Sequence, residues 1–126
     1  MWGKHLIIDM SEGNKEYVRS AEHIRHFVEI LVKAIGMKAF GQPVLQHFSE
    51  RRADTAGYTL VQFIETSAIT GHFCDRTGDA YIDIVSCQDF DTELALDVIK
   101  SVFEPEHMRY MTLHRQAPRA RRLAAE

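Results

Sequence analysis

Three residues near the middle of the chain carry side chains that can act as nucleophile, base and acid. Ser67 offers a hydroxyl, His72 lies five residues later, and Cys87 lies twenty residues after Ser67. A hydroxyl can attack a carbonyl when a base takes its proton, and an imidazole exchanges protons near neutral pH. Taken singly, Cys87 is typical of a small buried residue and His72 of a structural histidine. The spacing of the three residues, taken together, is what a functional hypothesis has to explain.

Six short runs with the composition of β-strands surround these residues. They cover residues 4–10, 43–48, 57–64, 68–73, 80–87 and 108–113. Ser67 would stand at a connection between two strands that contains almost no turn-forming residues, and Cys87 would end the fifth strand. Because side chains alternate along a strand, one face of the fifth strand would carry Tyr81, Asp83, Val85 and Cys87. The opposite face would carry Ala80, Ile82, Ile84 and Ser86.

Two helices are predicted from apolar residues at helical spacing. The first covers residues 15–35 and ends at Gly36, with an apolar face formed by Ile24, Phe27, Val28, Leu31 and Ile35. The second follows Asp91, a predicted N-cap, and ends at Pro105. Its buried side would carry Leu94, Val98 and Val102.

The predicted order of elements is β-α-β-β-β-β-α-β. This order indicates an α+β fold, a two-layer sandwich in which two helices cover one face of a mostly antiparallel sheet. The other face of the sheet would carry side chains such as Tyr81, Asp83 and Val85, which cannot all be buried in a lone protomer. A homodimer or higher assembly that stacks sheet on sheet would cover them.

The composition bounds the classes of protein that the chain can belong to. A length of 126 residues supports one domain, residues 1–126, and two cysteines are too few for a disulfide scaffold. The net charge of −3 gives no broad attraction to nucleic acid or to an anionic membrane. We expect a cytoplasmic protein without a secretory leader or membrane span. His23 and His26 lie on one helix without a facing helix to complete a site, so no metal is expected.

The spacing of Ser67, His72 and Cys87 resembles the cleavage and catalytic residues of the S-adenosylmethionine decarboxylase family, in its short prokaryotic type. Residues 3–9 resemble the family's opening strand, a Gly-basic-His-Leu run that ends in a carboxylate, here Asp9. Residues 57–67 resemble the strand that leads into the cleavage site. Residues 80–87 resemble the strand that ends in a Thr-Cys or Ser-Cys pair. The resemblance covers nearly the whole chain.

The resemblance implies self-cleavage between Thr66 and Ser67. The Ser67 hydroxyl would attack the Thr66 carbonyl, and elimination would separate residues 1–66, the β chain, from residues 67–126, the α chain. Ser67 would become a pyruvoyl group, which forms a Schiff base with the substrate and replaces pyridoxal phosphate as electron sink. The implied partner is a small-molecule substrate, and the implied reaction is decarboxylation in polyamine biosynthesis.

The resemblance also implies roles for four further side chains. His72 would act as acid or base in cleavage, and Cys87 would protonate the substrate carbon after carbon dioxide leaves. Asp9 supplies the carboxylate near the substrate where relatives usually have glutamate. Thr59 occupies a position at which many members have a serine that assists cleavage, and threonine offers the same hydroxyl.

Two departures from the family pattern concern the substrate. Arg76 stands where relatives tend to have a glutamate that binds the ribose, and Cys74 stands where an aromatic residue stacks on adenine. S-adenosylmethionine remains the expected substrate, with ornithine or arginine as the alternative. A cationic substrate would require acidic residues to offset Arg76, with Glu50, Asp54 and Asp75 as candidates.

Two other classes of function remain open from the sequence. The chain could be a non-catalytic family member that regulates an active partner, although the presence of Ser67, His72, Cys87 and Asp9 argues against this. It could also be an unrelated ligand-binding α+β sandwich. Neither alternative requires the chain to cut itself.

Overall fold

One antiparallel sheet and three helices make up the part of the chain that the structure describes. The computed structural model describes residues 1–49 and 52–120. The elements in chain order are β1 Gly3–Ser11, α1 Lys15–Val18, α2 Ala21–Ala34, β2 Ala39–Phe48, β3 Gly57–Ile64, β4 Ser67–Cys74, β5 Ala80–Ser86, α3 Thr92–Phe103 and β6 His107–Arg115. The α+β class and the antiparallel sheet predicted from the sequence are confirmed.

The strands lie in the order β2-β3-β4-β5-β1-β6, and all neighbours are antiparallel. β2 to β5 form a meander, because short connections make consecutive strands neighbours. β1 lies between β5 and β6, so the first strand is an interior strand beside the edge strand β6. β2 begins at Ala39, earlier than predicted. Its pairing with β3 has an irregular register between Phe40 and Val44, and residues before this irregularity still pair with β3.

The first predicted helix is divided in two, which corrects the expectation of a single helix over residues 15–35. α1 is one turn long, and the Ser20 side chain begins α2 as an N-cap by accepting the His23 N–H at 3.1 Å. An N-cap residue has non-helical backbone angles, so the chain cannot continue as one helix through Ser20. α2 ends before Gly36 as predicted, with Gly36 at a φ of 69°.

The core lies between the helices and one face of the sheet. It includes the aromatic residues Phe27, Phe73 and Phe103, and Phe27 and Phe103 meet edge to face with ring centroids 4.9 Å apart. Asp91 caps α3 as predicted by accepting the Leu94 N–H. Leu94 itself is exposed, which corrects its predicted place on the buried side. Relative to the prediction, the buried side of α3 is rotated about the helix axis by about one residue. The buried residues are Ala95, Leu96, Ile99, Val102 and Phe103.

The face of the sheet away from the helices is covered by no element of the described residues, and we call it the open face. Along β5, burial alternates as predicted, with Ile82 and Ile84 fully buried and Tyr81 half exposed. Among the described residues, the apolar side chains exposed on the open face are Phe40, Val44, Phe48, Phe63, Met111 and Leu113. Over residues 1–49 and 52–120, each helix is too short or too polar to cross a bilayer.

Candidate active site

The sheet register separates the predicted site residues into two groups. Ser67 pairs with Ser86 at one end of β4 and β5, whereas His72 pairs with Tyr81 near the other end. We call the first group, Thr66, Ser67, Ser86 and Cys87, the hairpin end. We call the second group, Thr59, His72, Tyr81, Asp9 and Arg109, the histidine end. The side chains of the histidine end form one cross-strand row on the open face.

The hairpin end contains the Thr66–Ser67 peptide bond in a two-residue turn. Ile64 pairs with Ser67, so only Glu65 and Thr66 connect β3 to β4. Two-residue hairpins usually have positive φ in the turn, whereas neither of these residues does. The backbone N–H of Cys87 donates to the Thr66 carbonyl oxygen at 3.0 Å. This donor points at the oxygen on which negative charge would develop if the carbonyl were attacked.

The side chains behind this turn form a small hydrogen-bond network. The hydroxyls of Thr66 and Ser86 lie 2.7 Å apart, and Ser86 is fully buried. The Ser86 hydroxyl also bonds both backbone groups of Gln88, the carbonyl oxygen at 2.8 Å and the N–H at 3.0 Å. The thiol of Cys87 belongs to an exposed residue beside this network. Thr66, the residue before the predicted cleavage site, is therefore held in place by Ser86 and Cys87.

His72 has a defined tautomer at the histidine end. Its Nε2 lies 2.7 Å from the Thr55 carbonyl oxygen, which can only accept, so Nε2 carries the hydrogen. In the neutral ring, Nδ1 then accepts from the Thr59 hydroxyl at 3.1 Å. Thr59 and His72 are direct cross-strand partners on β3 and β4. The two residues expected to assist cleavage are thus in contact with each other.

Asp9 lies in the same row, at the mouth of a cleft of about 290 Å³. Its carboxylate accepts a hydrogen bond from Arg109 Nε at 3.1 Å, and Tyr81 and His107 also line the cleft. Burial raises the pKa of Tyr81, and the nearby carboxylates add to the shift, so its phenol stays protonated at neutral pH. The cleft therefore offers a carboxylate, a guanidinium and a hydroxyl to a polar ligand.

The two ends of the site do not meet within one chain. Ser67 and His72 are five residues apart on one extended strand, and a strand rises about 3.3 Å per residue. Their backbones are therefore roughly 16 Å apart, far beyond hydrogen-bond reach. Thr66, Ser67 and Cys87 come together at one end, and Asp9, Thr59 and His72 at the other.

The two residues expected to contact adenosine differ in their exposure. Cys74 is buried, so little of its side-chain surface is available to a ligand. Burial, together with nearby carboxylates, also raises the pKa of its thiol. Arg76 is exposed in the turn after β4.

The acidic residues expected to offset Arg76 have other partners in the structure. Asp54 pairs with Arg52 at 2.6 Å, and Asp75 pairs with His47 at 2.6 Å. Glu50 lies outside the described residues. Within the described part of the chain, no ion pair includes Arg76 and no cluster of side chains is suited to hold a metal ion.

Comparison with known proteins identifies the family. The family model described as S-adenosylmethionine decarboxylase matches residues 4–116. The chain belongs to the S-adenosylmethionine decarboxylase family. Among solved structures, this family member is similar to the adenosylmethionine decarboxylase from Aquifex aeolicus, with a TM-score of 0.77 and 22% sequence identity. That match covers 93% of this chain and 92% of the other, and at this identity it shows the fold. A comparison with curated protein sequences gives no significant match.

Sequence reasoning missed several residues that contribute to the candidate site. Ser86 was placed on the buried face of its strand, and a buried hydroxyl needs partners, which was a signal that it bonds its neighbours. Arg109 and the Thr55 carbonyl had no signal in the sequence. Their contacts depend on the order of the strands and on a loop conformation.

Proposed function

We propose that the chain is a self-cleaving, pyruvoyl-dependent decarboxylase that acts on S-adenosylmethionine in the cytoplasm and contributes to polyamine biosynthesis. The observation that carries the proposal is the hydrogen bond from the Cys87 N–H to the Thr66 carbonyl oxygen at 3.0 Å, directly before Ser67. A nucleophile, a carbonyl and an oxyanion donor are therefore adjacent at the bond that the family pattern marks for cleavage. Family membership supports the decarboxylation itself.

Cleavage would begin as a transfer of the Thr66 acyl group from nitrogen to oxygen. The Ser67 hydroxyl oxygen bonds to the Thr66 carbonyl carbon, the C–N bond breaks, and the hydroxyl proton passes to the Ser67 nitrogen. The Cys87 N–H stabilises the charge that develops on the carbonyl oxygen. The ester then loses the Ser67 Cα proton and expels the Thr66 carboxylate. Water replaces the nitrogen of the dehydroalanine that remains, ammonia leaves, and residues 67–126 begin with a pyruvoyl group.

The residues around Ser67 fit such a group. A pyruvoyl carbonyl supplies an electron sink for the pair released when carbon dioxide leaves. Cys87 is the first residue after β5, and it is exposed. Its thiol can therefore deliver a proton to a substrate held beside Ser67. Asp9 lies at the histidine end, and it would hold a polar group of the substrate from the cleft that it shares with Arg109 where a second copy brings this cleft to Ser67.

We infer that the two ends of the site meet between two copies of the chain. His72 cannot reach Ser67 of its own chain, because roughly 16 Å of strand separates them. In a two-fold interface a surface patch meets itself. A two-fold axis that is parallel to the sheet, runs across the strands and passes over Thr70 and Asp83 would set the hairpin end of one copy over the histidine end of the other. The exposed apolar side chains of the open face support such an interface.

Self-cleavage is tested on the purified chain. We expect two fragments on a denaturing gel, with masses that correspond to residues 1–66 and to residues 67–126 with a blocked, pyruvoyl N-terminus. Ser67→Ala should remain one chain, and Ser101→Ala, an exposed serine on α3, should cleave like the wild type. A wild-type chain that stays whole after prolonged incubation contradicts the proposal.

The substrate is tested by release of carbon dioxide from S-adenosylmethionine, ornithine and arginine at equal concentrations. We expect turnover of S-adenosylmethionine, because Arg76 can donate to the ribose hydroxyls or stack on the base in place of the family's glutamate and aromatic residue. Turnover of ornithine or arginine alone, with gain of S-adenosylmethionine turnover in Arg76→Glu, would overturn the substrate and leave the chemistry intact.

A further inference from the structure

Ser86 is a fully buried polar side chain for which neither packing nor the reaction has an evident need. On its face of β5 it follows Ala80, Ile82 and Ile84, all of which are fully buried and apolar. An apolar residue would continue this face without the cost of removing a hydroxyl from water. The hydroxyl of Ser86 instead lies close to four groups, the Thr66 hydroxyl, both backbone groups of Gln88 and, at the longest distance of 3.8 Å, the Met37 sulfur. This raises the question of what these contacts accomplish together.

The directions of these hydrogen bonds follow from which groups can donate. The Gln88 carbonyl oxygen accepts only, so the one proton of the Ser86 hydroxyl goes to it, over 2.8 Å. The Ser86 oxygen then accepts from the Gln88 N–H and from the Thr66 hydroxyl. The hydrogen-bonding capacity of Ser86 is therefore fully used. One side chain joins the residue before the cleavage site to the turn that follows Cys87.

We propose that Ser86 is a positioning residue for self-cleavage, an inference that rests on the proposed function. By holding the Thr66 side chain, it limits rotation of the residue whose carbonyl Ser67 attacks. By closing the turn over Gln88, it keeps the Cys87 N–H directed at that carbonyl oxygen. Ser86 contacts no reacting atom and acts through Thr66 and Cys87. Orientation of this kind lowers a barrier because the reacting groups need no further ordering.

The start of β1 anchors the same segment independently. A Cβ added to Gly3 would lie 2.3 Å from the Ser86 carbonyl oxygen, so β1 packs directly against the backbone at Ser86 and Cys87. The Lys4 ammonium, which is nearly buried, donates to the Phe90 carbonyl oxygen and pairs with Asp89 at 2.7 Å. Residues 86–90 are thus held at their start by Ser86 and at their end by Lys4. This double anchoring fits a segment whose backbone must not move.

The test compares cleavage rates with stability in three variants. Ser86→Ala removes the hydroxyl and Ser86→Thr keeps it. Ser20→Ala is the matched control, because it removes the α2 N-cap far from the site and so destabilises the fold for a different reason. We expect Ser86→Ala to cleave about tenfold more slowly, which is the effect of losing roughly one hydrogen bond that orients the reacting groups. Ser86→Thr should restore the rate, and Ser20→Ala should melt earlier yet cleave at the wild-type rate.

Hydroxylamine identifies the step that is affected, because it cuts an ester at Thr66 and leaves peptide bonds intact. If Ser86 positions the acyl transfer, the ester forms slowly in Ser86→Ala and hydroxylamine does not restore the rate. Restoration of the wild-type rate would overturn the proposal, and so would an equal slowing in Ser20→Ala.

A further pair of variants keeps the proposal testable if Ser86→Ala does not fold. Thr66→Val removes the hydroxyl that Ser86 holds, and Thr66→Ser retains it. We expect slow cleavage in the first and near-normal cleavage in the second. Equal rates in this pair would overturn the proposal. A wild-type chain that does not cleave contradicts the proposed function, whereas a wild-type rate in Ser86→Ala contradicts only the role of Ser86.

Discussion

The hairpin end and the histidine end satisfy their polar groups in different ways. At the hairpin end, Thr66 and Ser86 bond to each other and to backbone groups of the same chain, and Ser86 is fully buried. At the histidine end, the Arg109 side chain that pairs with Asp9 is 86% exposed. His72 is held by Thr59 and by a loop carbonyl, and it lies on a face that no described element covers.

This difference indicates which part of the chemistry one chain can supply alone. In the proposed cleavage, the hairpin end would supply the Ser67 nucleophile, the Thr66 carbonyl and the Cys87 N–H that already donates to it, all from one chain. The histidine end would supply His72, the proton-transfer group of the proposal, and the cleft beside Asp9, and both lie on the open face. In the proposed shared site, the hairpin end of one copy lacks a base, which the His72 of the second copy would provide. The histidine end lacks a carbonyl group to act on, which the Thr66 of the second copy would provide.

Replacement of Cys87 should separate cleavage from decarboxylation. In Cys87→Ala the backbone N–H remains on the Thr66 carbonyl, so cleavage should proceed at close to the wild-type rate. Loss of the thiol as proton donor should lower carbon dioxide release about 10²-fold or more, or lead to inactivation by transamination. Fragment analysis and release of labelled carbon dioxide measure the two activities. Full activity in Cys87→Ala would assign the proton to another group.

Replacement of Thr59 should have a smaller effect, confined to cleavage. Thr59→Val removes the donor to His72 Nδ1 and keeps the shape of the side chain, so the imidazole loses one of its two partners. We expect cleavage to slow about tenfold, as for one hydrogen bond, and Thr59→Ser to stay near the wild-type rate. Equal rates in the two variants would show that the Thr59 hydroxyl has no part in orienting His72.

The smallest expected effect concerns stability and pH at the ion pair between Lys4 and Asp89, which follows the hairpin end in the chain. The hydrogen bond from Lys4 lowers the pKa of Asp89 below its usual range. A carboxyl with a lowered pKa in the folded state adds stability when ionised, and this contribution is lost as the pH falls through the folded-state pKa. The wild type should therefore be slightly more stable than Asp89→Asn at neutral pH, with the difference vanishing in strong acid.

Thermal unfolding over a range of pH measures this difference. Asp97→Asn, an exposed carboxyl on α3 outside the ion pairs of the described residues, provides the control. A gap between wild type and Asp89→Asn that widens toward low pH would contradict the assignment.

Much of the fold follows from local pattern. Alternation along β5 places Ile82 and Ile84 in the core, and helical spacing gives the buried face of α2. The break at Ser20 was missed because the apolar spacing of α2 does not reveal which polar residue becomes the cap. Leu94 was misplaced because only the packing of α3 on the sheet decides how far the helix is turned.

The site is less accessible to sequence reasoning because its contacts depend on strand order. The contact between Cys87 and Thr66 joins residues 21 positions apart and exists only because β5 lies beside β4. The distance between Ser67 and His72 could have been anticipated, since an uninterrupted strand fixes it at about 3.3 Å per residue. Ser67 and His72 are close in the sequence but far apart in space, because the distance between two residues on one strand increases with each residue between them.

The central claim, that each site is shared between two copies, is tested with mixed dimers. A Ser67→Ala chain and a His72→Ala chain carry different affinity tags, are produced together, and are purified through both tags in turn. Each variant is also produced alone. In the mixed dimer only the His72→Ala chain has a Ser67, and only its partner has a His72.

Mass spectrometry of the two tagged chains reports which of them is cut. The shared-site account predicts that each variant alone stays largely whole, whereas in the mixed dimer the His72→Ala chain is cleaved after Thr66 and the Ser67→Ala chain remains intact. A His72→Ala chain that stays as whole in the mixed dimer as it does alone, or one that cleaves at the wild-type rate without any partner histidine, would contradict the account.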